Sequence, residues 1–246
     1  MILKTTLSIS LIFLSISSFA ANQSIQSFSK AKRLLEREIY SNHRETLYCA
    51  AKFNSDKQVI FPDGFHTTKY IKRSKKIEWE HVVPAENFGR TFIEWRDGDN
   101  KCISRKGKSY KGRRCAEKVN SEYRYMQADM FNLYPVIGAV NALRSNYNFT
   151  MLPDVKNDFG SCAMKIDSRK AEPPVAARGR ISRTYLYMDA TYKRYNMSRQ
   201  QKQLMTAWDK MQPVDKWECT RAKKIRTLQQ NENIVVKSRC EISGLW

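Results

Sequence analysis

Ile77-Glu78-Trp79-Glu80-His81-Val82-Val83-Pro84-Ala85 is the stretch on which the reading of this chain turns. Ile77, Trp79, Val82 and Val83 favour a pleated, half-buried surface and Pro84 ends regular pairing, so the pattern predicts a short strand. Inside it sits the pair Glu80-His81, flanked by apolar residues that would hold both side chains still. The chain has three histidines, His43, His66 and His81, and only His81 has such a setting. An imidazole titrates near neutrality and can take a proton from water. A neighbouring carboxylate can hold a hard divalent cation. Successive strand side chains point to opposite faces, so the pair can serve one site only where the backbone twists, bulges or ends its strand. A histidine in an apolar strand is also commonly a hydrogen-bonded core residue, so the pair alone decides nothing.

Working outward, the basic run from Lys69 to Lys76 leads straight into this strand, placing cations beside the pair. On its other side, Arg90 to Cys115 is polar and reads as loop. Between Cys102 and Cys115 lie Arg105, Lys106, Lys108, Lys111, Arg113 and Arg114, interspersed with Gly107, Tyr110 and Gly112 and with no acidic residue. A disulfide across the base would make this a stiff basic loop suited to phosphate oxygens. Farther on, Pro135 is expected to open a helix at its first position. Ile137, Val140, Asn141 and Arg144 then fall on one face of it. Asn141 would project beside an apolar stripe, where an amide needs a partner: a backbone group, or a metal or phosphate.

The remaining segments supply a frame. Phe28, Ala31, Leu34, Leu35 and Ile39 predict an amphipathic helix over residues 27–40. Thr46 to Cys49 reads as a strand, and Glu172-Pro173-Pro174 as a loop. Arg178, Arg180 and Arg183 form a second basic cluster. Ser198 with Gln201 makes a capping box that opens a helix closed by Pro213. Trp217 to Gln229 reads as the last helix.

Composition bounds the classes. Lys4, the apolar run Leu7 to Ile16 and Ser18-Phe19-Ala20 predict a secretory signal peptide over residues 1–20, too short for a comfortable membrane span. No second run of that hydrophobicity follows, so residues 21–246 are expected to form one soluble domain with no membrane anchor. Six cysteines, Cys49, Cys102, Cys115, Cys162, Cys219 and Cys240, imply three disulfides in an exported chain. Their spacings contain no zinc-site pattern. About 15 pairings exist for six cysteines; closeness along the chain suggests Cys102 with Cys115 and Cys219 with Cys240, leaving Cys49 for Cys162. Lys and Arg number 44 against 24 Asp and Glu, a net charge of +20 that points to a polyanionic partner.

The central nonapeptide resembles the signature of the bacterial endonuclease I family of periplasmic and secreted nucleases. Similarity continues, in order, through Gly112-Arg113, Ala128-Asp129 with Asn132-Leu133, Val140-Asn141 with Arg144-Ser145-Asn146, Ala177-Arg178-Gly179, Arg183 to Met188, and Pro213 to Arg221. The resemblance implies an α+β, mixed single-domain fold around a ββα-metal (His-Me finger) motif. It implies Mg²⁺-dependent cleavage of DNA and RNA with little sequence preference, leaving 5′-phosphate and 3′-hydroxyl ends. His81 would be the general base and Glu80 and Asn141 the ligands of one Mg²⁺, a site that Mn²⁺ or Ca²⁺ could also fill. Arg113, or its neighbour Arg114, would contact the scissile phosphate, with Asn132 in support. Lys106, Lys108, Lys111, Arg114 and Arg144 are the expected nucleic-acid contacts. A monomer in the periplasm or the medium is expected. The competing class, a basic exported protein that binds polyanions without cutting, explains the charge and the disulfides equally well. It does not call for Glu80-His81 together with an inward Asn141. An RNase with little DNase activity fits the same residues.

Overall fold

The computed structural model describes residues 21–246; the expected signal peptide, residues 1–20, lies outside the described residues. Helix α1 (Phe28–Leu34) is capped by the Ser27 side chain, which accepts from the Lys30 N–H. It runs on into one π-helical turn, Leu35–Ile39, so the helix expected over residues 27–40 forms. Thr46 to Cys49, expected as a strand, is instead a turn. Leu47 there donates its N–H to the carbonyl of Pro135 and gains no ladder of its own. Strands β1 (Lys52–Phe53) and β2 (Val59–Ile60) form a small hairpin, followed by helix α2 (Ile71–Ser74).

The central stretch is strand β3 (Ile77–His81), followed by helix α3 (Ala85–Gly89). Residues 90–115 hold more helix than expected: α4 (Ile93–Arg96) lies within them and α5 (Arg113–Val119) begins before Cys115. Then come α6 (Ser121–Gln127), a 3-10 turn at Met130–Asn132, strand β4 (Leu133–Ile137) and helix α7 (Gly138–Arg144). β4 pairs antiparallel with β3 in the register Ile77↔Ile137 to His81↔Leu133. Pro135 therefore lies in a strand and opens no helix. A two-stranded sheet has only edges, where a missing N–H is tolerated, and the buried run Leu133, Tyr134, Val136 and Ile137 wins over the helical pattern.

The second half of the chain packs behind this pair. Strands β5 (Asn148–Phe149), β6 (Lys165–Asp167) and β7 (Lys170–Glu172) form a three-stranded sheet with β7 central. Helices α8 (Val175–Thr191) and α9 (Arg199–Met211) follow, the latter capped by Ser198 as its sequence predicts. α10 (Lys216–Gln229) is not the last helix, because α11 (Ile234–Ile242) folds back on it. Arg178, Arg180 and Arg183 lie on α8 and face acids: Glu172, Asp215, and Glu218 with Asp209, respectively. They hold elements together and leave little free charge for a polyanion. The buried apolar residues form one cluster, stapled by Cys49–Cys162, Cys102–Cys115 and Cys219–Cys240.

Candidate active site

β3 ends where its chemistry begins. Arg144, at the last position of α7, is fully buried and turns its guanidinium back onto that end. It donates to the carbonyls of His81 (2.9 Å) and Val82 (2.6 Å) and pairs with the Glu80 carboxylate. Its ring partner is Phe149, 4.6 Å away. This corrects the expectation that Arg144 binds nucleic acid: its side chain shows nothing to solvent and is spent on fixing the strand end. Asn132, also fully buried, clamps Val83 by accepting its N–H (2.7 Å) and donating to its carbonyl (2.9 Å). Two side chains thus hold the backbone on the far side of His81.

The His81 ring packs on Phe28 of α1, 4.8 Å between centroids, with Phe88 of α3 at 6.4 Å. Its Nε2 lies 2.8 Å from the carbonyl oxygen of Gln127, at the C-terminal end of α6. A carbonyl can only accept, so the proton resides on Nε2 and Nδ1 carries the lone pair. Desolvation and then the Arg113 charge push the imidazole pKa down to about 3, against a smaller upward pull from the Gln127 carbonyl. The ring is neutral at physiological pH.

Arg113 reaches the same place from α5. Gly112, at φ +78°, makes the turn that starts this helix, and Cys115 ties it to Cys102. The guanidinium lies 5.2 Å over the Phe28 ring, and Nε donates weakly to the Gln127 side chain at 3.4 Å. Nη2 is buried with no hydrogen-bond partner. Arg114, the other candidate, stacks on Tyr110 at 4.9 Å and is exposed. Of the two, Arg113 faces His81. Lys106, Lys108 and Lys111 are all exposed on the loop closed by Cys102–Cys115.

Glu80 and Asn141 approach from the other side of β3. Glu80 is buried, and burial raises its pKa against the opposing pull of Arg144. Its hydrogen bonds from Tyr48 and Arg144 both end on Oε1. Asn141 is half-buried and donates through Nδ2 to Oε2 of Glu78 at 2.6 Å. The Asn141 amide therefore meets Glu78, not Glu80. Among the described residues no group of three or more His, Cys, Asp or Glu is arranged to hold a metal. Beside Asn141 opens a cleft of about 500 Å³, walled by Phe28, Lys32, Arg33, Lys57, Glu78 and Trp79.

Sequence reasoning assigned no chemistry to Phe28, Lys32, Gln127 or Glu78. By its spacing Phe28 reads as helix core, yet its ring carries His81, Arg113 and Lys32 (4.5 Å) together. Gln127 directly precedes the Ala128-Asp129 pair, and Glu78 lies inside the central nonapeptide, so position was the only available signal.

A neutral, oriented imidazole, a half-buried guanidinium with an unpartnered Nη2 and an exposed basic loop on the same chain suit polyanion chemistry. The chain belongs to the Endonuclease I family, whose profile matches residues 21–240. It is 37% identical over 223 residues to an extracellular deoxyribonuclease of Aeromonas hydrophila, covering 88% of this chain and 91% of that one. A periplasmic deoxyribonuclease of Aeromonas hydrophila is 36% identical over 226 residues, 89% of each chain. Endonuclease-1 of Buchnera aphidicola subsp. Acyrthosiphon pisum (strain APS) is 35% identical over 231 residues, 91% of this chain and 85% of that one. Among the described residues no helix is long and apolar enough to cross a membrane.

Proposed function

We propose that this chain is an exported endonuclease that hydrolyses DNA phosphodiesters with little sequence preference, with RNA as a second substrate. Residues 21–246 act as one monomeric nuclease domain, and β3, β4 and α7 form its ββα-metal motif. Family membership and the deoxyribonuclease relatives support the reaction class and a periplasmic or extracellular place of work. The observation that carries the assignment of roles is the His81 Nε2 bond to the Gln127 carbonyl. It fixes the tautomer that leaves Nδ1 free to act as base.

His81 Nδ1 takes a proton from water, and the water oxygen attacks phosphorus in line with the 3′ oxygen. The bond from phosphorus to that oxygen breaks and the departing 3′ oxygen takes a proton from solvent water, leaving 5′-phosphate and 3′-hydroxyl ends. Arg113 offers its unpartnered Nη2 to a non-bridging phosphate oxygen. A buried unsatisfied donor costs about 1–3 kcal/mol, a penalty lifted when the phosphate arrives. That phosphate also offsets the charge that depresses His81, so substrate binding strengthens the base. Phosphate contacts carry no base information, which keeps specificity low.

A hard divalent cation fits the donors present. The described hydrogen bonds leave one Glu80 oxygen and the Asn141 amide oxygen without a donor. Two oxygen ligands, with waters and substrate oxygens, suit a hydrated Mg²⁺. When bound, the cation would neutralise charge at phosphorus and on the leaving oxygen. Supercoiled plasmid incubated with the protein should become nicked and then degraded, and EDTA should stop both steps. Binding without cleavage at any Mg²⁺ concentration would replace this reading with that of a polyanion-binding protein.

A further inference from the structure

We infer that Glu78, without being a cation ligand, sets which atom of Asn141 faces the cation, and that Arg73 holds Glu78 in place for this task. The inference rests on the reading of Asn141 as a ligand. A carboxamide presents an oxygen or an NH₂ group depending on a half-turn about its last bond, and only the oxygen can bind a cation. Left alone, Asn141 would sample both. A carboxylate only accepts, so the contact with Glu78 at 2.6 Å can be made only through Asn141 Nδ2. That contact commits Oδ1 to the opposite side.

Glu78 is itself fixed. Arg73 on α2 grips it with two bonds, Nε to Oε1 at 2.8 Å and Nη2 to Oε2. The Arg73 guanidinium also lies 5.7 Å over the Tyr70 ring. The start of α7 is pressed against this pair: the Gly138 N–H donates to the Lys76 carbonyl at 3.0 Å. A Cβ on Gly138 would meet the Arg73 carbonyl at 2.4 Å and Glu78 Oε1 at 2.9 Å. Glycine at that position lets helix, ion pair and amide come together. Arg73 also offsets the charge of Glu78, so the orienting carboxylate does not compete strongly for the cation.

The test uses the symmetry of a carboxylate. In an Asn141→Asp background the ligand presents oxygen whichever way it turns, so it needs no orienting partner. Calorimetric Mg²⁺ affinity is measured for the full mature chain with and without Glu78→Ala in both backgrounds. In the native background Glu78→Ala should weaken Mg²⁺ by about tenfold, the lower end for loss of a ligand's supporting partner. In the Asn141→Asp background it should cause no weakening, since it also relieves repulsion between two carboxylates. Arg73→Met should show the same background dependence by a separate route, with Glu78 intact. Equal weakening in both backgrounds would overturn the inference and make Glu78 a ligand or a general electrostatic contributor. Unchanged Mg²⁺ affinity in Asn141→Ala would overturn the ligand reading of Asn141 and the inference with it.

Discussion

Burial and the Arg113 guanidinium give His81 a different acid–base behaviour from a solvent-exposed imidazole. An ordinary imidazole would make the cleavage rate rise through about pH 6–7; this one is already neutral there. Unfolded, the ring takes up its proton near pH 6.5, while folded it resists protonation to about pH 3. Its contribution to stability is therefore complete above about pH 6.5 and is lost as the pH falls toward about 3. Nitrogen NMR of the free protein should show a neutral Nε2–H ring from pH 7.5 down to about 5. A midpoint near 6.5, or an Nδ1–H tautomer, would contradict the geometry. His81 was legible in the sequence because its setting differs from those of His43 and His66. Its partners were not, since Gln127 lies 46 residues away and supplies only a backbone carbonyl, which any residue could offer. Arg144 misled for a similar reason: a sequence shows its charge but not its burial.

Among the elements, the antiparallel pair β3 and β4 with α7 places Glu80, His81 and Asn141, and the loop before α5 brings the charge. Lys106, Lys108 and Lys111 stand exposed on that loop. Replacing all three by Ala should flatten the dependence of DNA affinity on salt by about one unit of log–log slope per lysine that contacts a phosphate. An unchanged slope would remove the loop from the footprint. The strand at the central nonapeptide, the helix from Phe28 and the cap at Ser198 were legible because each depends on local pattern. β4 was not. Its Pro135 is a good helix opener taken locally, and only the long-range pairing with Trp79 makes it a strand residue. The short helix Ile93–Arg96 carries no pattern long enough to read.

For the whole molecule, the three disulfides divide the work of stabilisation unequally. Cys49–Cys162 closes a separation of 113 residues and Cys102–Cys115 only 13. Chain entropy then predicts that paired Cys→Ala replacements at Cys49 and Cys162 cost about 2 kcal/mol more than those at Cys102 and Cys115. Denaturant unfolding of the two variants measures the difference. The shorter link should matter more for activity than for stability, because it holds the helix that carries Arg113. The pairings themselves were legible from closeness along the chain, whereas the convergence of α1, α5 and α6 on one imidazole was not. That convergence makes His81 the base, and single-turnover cleavage by His81→Ala, measured beside its DNA and Mg²⁺ affinities, tests this most directly. Cleavage should fall by about two to four orders of magnitude, with both affinities kept. Cleavage at the wild-type rate would show that the chemistry lies elsewhere, and loss of Mg²⁺ affinity would make His81 a ligand and not the base.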